Sequence, residues 1–142
     1  TGYRARALVR VQLRRLPAFL ARRQQPAARY FEALRDLPLI LPADAPAGDV
    51  HSWHLFVLRL TEAARVTRDD VIQRLSDAGI GTSVHYVPLH RQPYWRDRYH
   101  LTPEQFPEAD KAYQHMFSIP LFTAMSDDDQ ERIIAALHDI LG

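Results

Sequence analysis

The sequence predicts an α+β domain, with a small, mainly antiparallel sheet and helices packed on one face. Three observations carry that reading. Helix-period and strand-period apolar patterns are mixed along a single chain of 142 residues. The clearest apolar run, residues 52–60, has the length of a strand. Two capping signatures, Thr67 with Asp70 and Ser126 with Asp129, mark helix starts.

Over residues 7–20, Leu8, Val11, Leu13, Leu16, Phe19 and Leu20 recur at three- and four-residue steps with Arg on the other face, which predicts an amphipathic helix. Pro17 should bend it or start a new one. A second helical stretch, 19–37, keeps the period through Tyr30, Phe31 and Leu34 and should kink at Pro26. Residues 37–49 hold Pro38, Pro42, Pro46 and Gly48, giving a short extended piece and then a loop. In the strand 52–60, the run Trp53, Leu55, Phe56, Val57 and Leu58 suits burial on both faces. The helix opened by Thr67 turns Val71, Ile72 and Leu75 inward and stops before Gly79. Residues 80–86 are a further strand candidate, and 87–103 an irregular, aromatic connection. Residues 107–117 should be helical and 118–121 a short strand. The last helix, 127–141, buries Ile133, Ile134, Leu137, Ile140 and Leu141. The chain thus divides into a basic helical segment, 1–36, and an α+β domain, 37–142.

Composition excludes several classes. Hydrophobic residues at 46% and charged residues at 25% are ordinary for a folded domain, so disorder is excluded. A chain of this size buries about 68% of its unfolded surface, enough for a real core. No apolar run reaches the roughly 18 residues of a membrane span, and no apolar leader is present, so a cytoplasmic protein without membrane contact is expected. With no Cys, disulfides, thiolate metal sites and thiol nucleophiles are excluded. The chain begins with Thr1 rather than Met, the expectation being a piece cut from something longer.

Charge is divided unevenly. Residues 1–35 carry nine Arg against Glu32, a balance of +8, and the rest carries nine basic against sixteen acidic residues, a balance of −7. A basic arm can meet nucleic acid or an acidic surface, but no base-reading module accompanies it, so the solvated face of a helix is the favoured reading.

Candidate chemistry is sparse. The five Gly, at 2, 48, 79, 81 and 142, cannot write a phosphate-binding loop. His51 and His54, like His85 and His90, lack a third ligand at metal-site spacing, so no metal is predicted. No Ser sits in a nucleophile elbow, and Asp127, Asp128 and Asp129 suit a helix N-terminus. Lys111 is the sole Lys and lies in an acid-rich helix start, so no catalytic residue is assigned. His85, Tyr86, His90, Tyr94 and Trp95 crowd into a Pro-threaded stretch after a strand candidate. They suit the wall of a ligand cleft, and equally a loop packed onto the core.

Several segments together resemble a known family: Val11-Gln12-Leu13-Arg14-Arg15-Leu16, Ala21-Arg22-Arg23, Ala28-Arg29-Tyr30, Ser52-Trp53-His54-Leu55-Phe56-Val57, the run from Gly79 to His90, Pro93-Tyr94, Phe106-Pro107-Glu108-Ala109 and Ser118-Ile119-Pro120-Leu121. Their order resembles the C-terminal small domain of the DegT/DnrJ/EryC1/StrS aminotransferases, from about Leu8 to the end. The resemblance implies a fold type I, dimeric enzyme that uses pyridoxal 5'-phosphate to aminate a nucleotide-linked keto-sugar, with glutamate as donor. It implies that the cofactor and its lysine belong to a large domain absent here, so that this chain alone would bind no cofactor and be inactive. It places His85, Tyr86 and His90 toward the sugar nucleotide, with Tyr94 nearby.

One departure stands out. The family's Gly-x-Asn-x-Arg segment lends an Asn to the cofactor phosphate of the neighbouring subunit, whereas here Gly2-Tyr3 runs into Arg4-Ala5-Arg6 and the chain has no Asn. A noncatalytic partner-binding module or gene relic is the competing reading, and nucleic-acid binding by the basic arm the weakest.

Overall fold

The computed structural model describes residues 2–142. Thr1 and the side chains of residues 2–5, where the Gly-x-Asn-x-Arg departure falls, lie outside the described residues. In chain order the elements are α1 (Gly2–Leu34), β1 (Leu39–Ile40), β2 (Phe56–Leu60), α2 (Arg68–Asp77), α3 (Pro93–Tyr99), α4 (Pro107–His115), β3 (Met116–Ile119) and α5 (Asp127–Leu141). The three strands form one antiparallel sheet, ordered β1-β2-β3, with Leu39 opposite Leu60 and Leu58 opposite Phe117. The α+β prediction with a small antiparallel sheet therefore holds.

Side-chain alternation sets the layers. Phe56, Leu58 and Leu60 of β2 and Phe117 and Ile119 of β3 are buried, and meet Tyr30 and Leu34 of α1, Val71 and Leu75 of α2, and Ile133 and Leu137 of α5 in one core. Each fully buried Leu or Phe there contributes about 1.5–3 kcal/mol through apolar burial. Ser118, paired with Val57, points to the opposite face of the sheet from Phe117 and Ile119. Both capping boxes form: Thr67 and Asp70 exchange side-chain and backbone bonds at the start of α2, and Ser126 and Asp129 do so for α5. Gly79 follows α2 with φ 73°, the left-handed conformation its lack of Cβ permits.

The structure corrects five local expectations. The two N-terminal helices are one, running through Pro17 and Pro26. Each Pro removes one helical donor, but the second is buried, and its carbonyl accepts a bond from Gln130 Nε2 of α5 at 2.7 Å, which holds the helix on course. The strand expected over 52–60 begins only at Phe56, because Trp53 adopts φ 46°. Its indole is buried, stacks on His51 and donates Nε1–H to Gln24 of α1, contacts that offset the cost of a left-handed non-glycine residue. The candidate strand 80–86 reduces to one bridge, Ser83 with Ser118. The connection 87–103 contains α3, and the helix expected to reach residue 117 ends at His115, so that β3 starts two residues earlier than predicted.

Candidate functional site

The start of the aromatic segment lies at the outer edge of β3. The Ser83–Ser118 bridge, with N···O distances of 3.2 and 2.7 Å, brings residues 83–86 there, and His85 Nδ1 lies 3.3 Å from Ser118 Oγ on the face away from the core. The peptide between His85 and Tyr86 is cis. His85 and Tyr86 form an edge-on pair with centroids 5.0 Å apart. Past a single 3-10 turn at Leu89–Arg91, α3 presents Tyr94, Trp95 and Tyr99 in a second aromatic group.

Of the four predicted site residues, three offer surface to a ligand. Tyr86 is 77% exposed, Tyr94 66% exposed, and His85 half-buried. These rings stand on open surface, so an enclosing cleft would need a second wall. His90 departs from expectation: it is 4% exposed, its ring stacks on Phe106 at 5.2 Å, and its Nε2 lies 3.0 Å from Asp110 Oδ1. A carboxylate only accepts, so Nε2 carries the proton, and His90 anchors the loop from beneath.

Asp110 is the centre of that anchor. It is 6% exposed on α4 and accepts from His90, from Nε and Nη2 of Arg91, and from Gln114 one turn along. Arg91 first, and His90 second, hold its carboxyl well below the usual carboxylate range. Arg91 also lies over the ring of Tyr113, centroid 5.7 Å away, whose other cationic neighbour is Arg68 at 5.3 Å. Neither Asp110 nor Arg91 stands out in the sequence: an acid in the first turn of a helix is ordinary dipole complementation. Trp95 is legible only as part of the aromatic crowd, and Tyr99 is not singled out by the sequence.

Lys111, the sole lysine, is not poised to form a Schiff base. A Schiff base needs a neutral amine, whereas Lys111 Nζ is exposed and 2.6 Å from Glu62 Oε1, whose hydrogen bond and charge raise its pKa further. Among the described residues no group of three or more His, Asp or Glu is placed to hold a metal ion, and no helix is long and apolar enough to cross a membrane.

Comparison with known proteins is consistent across sequence and structure. The model of the DegT/DnrJ/EryC1/StrS aminotransferase family matches residues 4–138. The chain is 39% identical over 132 residues to the spore coat polysaccharide biosynthesis protein SpsC of Bacillus subtilis, covering 92% of this chain and 34% of that protein. It is similar in structure to DesV of S. venezuelae, solved in complex with a ketimine intermediate, with TM-score 0.80, 32% identity, and coverage of 94% of this chain and 34% of that one. Protein Spr1654 of Streptococcus pneumoniae, in its PLP form, matches with TM-score 0.81 and 28% identity, over 93% of this chain and 34% of that one. The chain thus spans about a third of the length of the relatives it matches.

Proposed function

Because the chain belongs to the DegT/DnrJ/EryC1/StrS aminotransferase family, we propose that it is the substrate-binding small domain of a sugar aminotransferase acting on a nucleotide-linked keto-sugar, with glutamate as amino donor. Pyridoxal phosphate and its lysine come from polypeptide outside residues 1–142, and the working assembly is a homodimer in the cytoplasm. This chain's contribution is recognition. The exposed faces of Tyr86 and Tyr94 supply stacking area for a base or sugar ring, and His85, steadied through Nδ1 by Ser118, offers Nε2 to a hydroxyl or phosphate. The observation that carries the reading is the wide exposure of Tyr86, at the open edge of the sheet, and of Tyr94 on α3, together with a match to the family along almost the whole chain.

Calorimetric titration of the full-length protein with a panel of UDP- and dTDP-linked hexoses tests it. Tyr86→Ala and Tyr94→Ala should each weaken binding about tenfold, the equivalent of ~1.4 kcal/mol and within the range of one lost stacking contact. Unchanged affinity in both variants would remove these residues from the site.

A further inference from the structure

We propose that Asp110 is the positioning residue of the aromatic site, the α4 group on which the hydrogen bonds that hold the segment of Tyr86 and Tyr94 converge. The inference rests on the sugar-nucleotide reading of that site. Among the described residues, the hydrogen bonds that tie residues 86–99 to any part of the chain beyond residue 101 all end on Asp110, two of them from Arg91 and one from His90. The remaining side-chain bonds of the segment are internal to it, such as Gln92 to Val87 and Arg96 to Asp97. Burial cannot replace this anchor, because His90 is the segment's one fully buried side chain, while Tyr86, Val87, Leu89, Tyr94, Trp95 and Tyr99 are all exposed.

The geometry suits a clamp. Arg91 reaches both carboxylate oxygens, which fixes direction as well as distance, and His90 meets Oδ1 from the adjacent position of the same turn. Gln114 braces Oδ2 along α4, and Phe106, immediately before α4, backs the His90 ring. Tyr86 and Tyr94 stand four residues to either side of His90, so the carboxylate fixes the middle of the segment that carries both rings, while the Ser83–Ser118 bridge holds its start. A ligand that must first order a loose loop binds more weakly than one that meets a preformed surface. Asp110 therefore acts on affinity without touching the ligand.

The full-length protein, labelled with 5-fluorotryptophan, tests this through two readouts. The resonance lost in Trp95→Phe identifies Trp95, the tryptophan of the loop. In Asp110→Asn that resonance should shift toward its unfolded position and narrow while the far-ultraviolet circular dichroism stays unchanged. Binding of the UDP- and dTDP-hexose panel should weaken at least tenfold, and Asp110→Glu should recover part of both effects. Should Asp110→Asn fail to fold, Arg91→Ala, which removes two of the three anchoring bonds from a partly exposed side chain, should reproduce the local loosening. An unmoved Trp95 signal in a folded variant, or loosening with unweakened binding, overturns the proposal. If the unsubstituted protein binds none of the panel, the sugar-nucleotide reading falls, and the Trp95 resonance alone decides whether Asp110 orders the loop.

Discussion

Tyr30 shows how one side chain ties an element to the core and to pH. Its ring is buried against Phe56, and its hydroxyl donates to the carbonyl of Pro120 at 2.9 Å. Burial raises its phenol pKa well above the ordinary value near 10, with nearby Arg29 opposing weakly. The sign follows directly: below pH 10 both folded and unfolded states keep the proton, while above it only the unfolded chain releases it, so stability falls as pH rises past 10. Tyr30→Phe should cost about 1–2 kcal/mol at pH 7, because the Pro120 carbonyl loses its partner, and should flatten this alkaline loss. Urea midpoints at pH 7 and pH 10.5 measure both. Asp110 has the opposite sense: its depressed pKa keeps the anchor intact above the ordinary value of 3.8 and releases it only in acid below that. The same scale shows what a single sequence conceals. His85 and His90 bracket one short motif and read alike, yet only the second is buried. The reason is Asp110, twenty residues away, and no local pattern announces a carboxylate that distant.

Elements with a local cause were legible, and those with a tertiary cause were not. The capping boxes of α2 and α5 need only residues three apart, and the apolar face of α5 follows its own period, so both helices were readable with their buried apolar residues, apart from Ile72, which is only partly covered, while the buried Gln130 carries no apolar signal. The shortened β2 was not, because the turn at Trp53 is imposed by Gln24 and His51 rather than by strand propensity. Nor was the continuity of α1, since a Pro inside a helix costs about 3 kcal/mol relative to Ala and reads as a break. That cost is local at Pro17, where residues 6–18 are exposed and the core has not yet been met. Pro17→Ala should accordingly increase ellipticity at 222 nm while changing the global unfolding free energy by no more than about 0.5 kcal/mol.

At the scale of the molecule, charge and chemistry are unevenly placed. The Arg-rich half of α1 carries Leu8, Val9, Leu13 and Leu16 exposed beside its guanidinium groups, so the amphipathic pattern was legible but the burial of its apolar face was not realised within this chain. The α+β class followed from the order of patterns, whereas the position of the aromatic site at the edge of β3 required the Ser83–Ser118 bridge that no periodicity predicts. Chemistry is equally partitioned: with Lys111 held protonated by Glu62, added pyridoxal phosphate should give no lysine-aldimine absorbance with this chain. An absorbance band abolished by Lys111→Arg would reverse that expectation.

The unbroken helix α1 has a mechanical consequence. At about 1.5 Å per residue, its first 17 residues reach roughly 25 Å from where Phe19 and Leu20 begin to be covered. A rod of that length fixed at one end to a small body is a lever: a tilt of about 10° at its root sweeps the far end by roughly 4 Å.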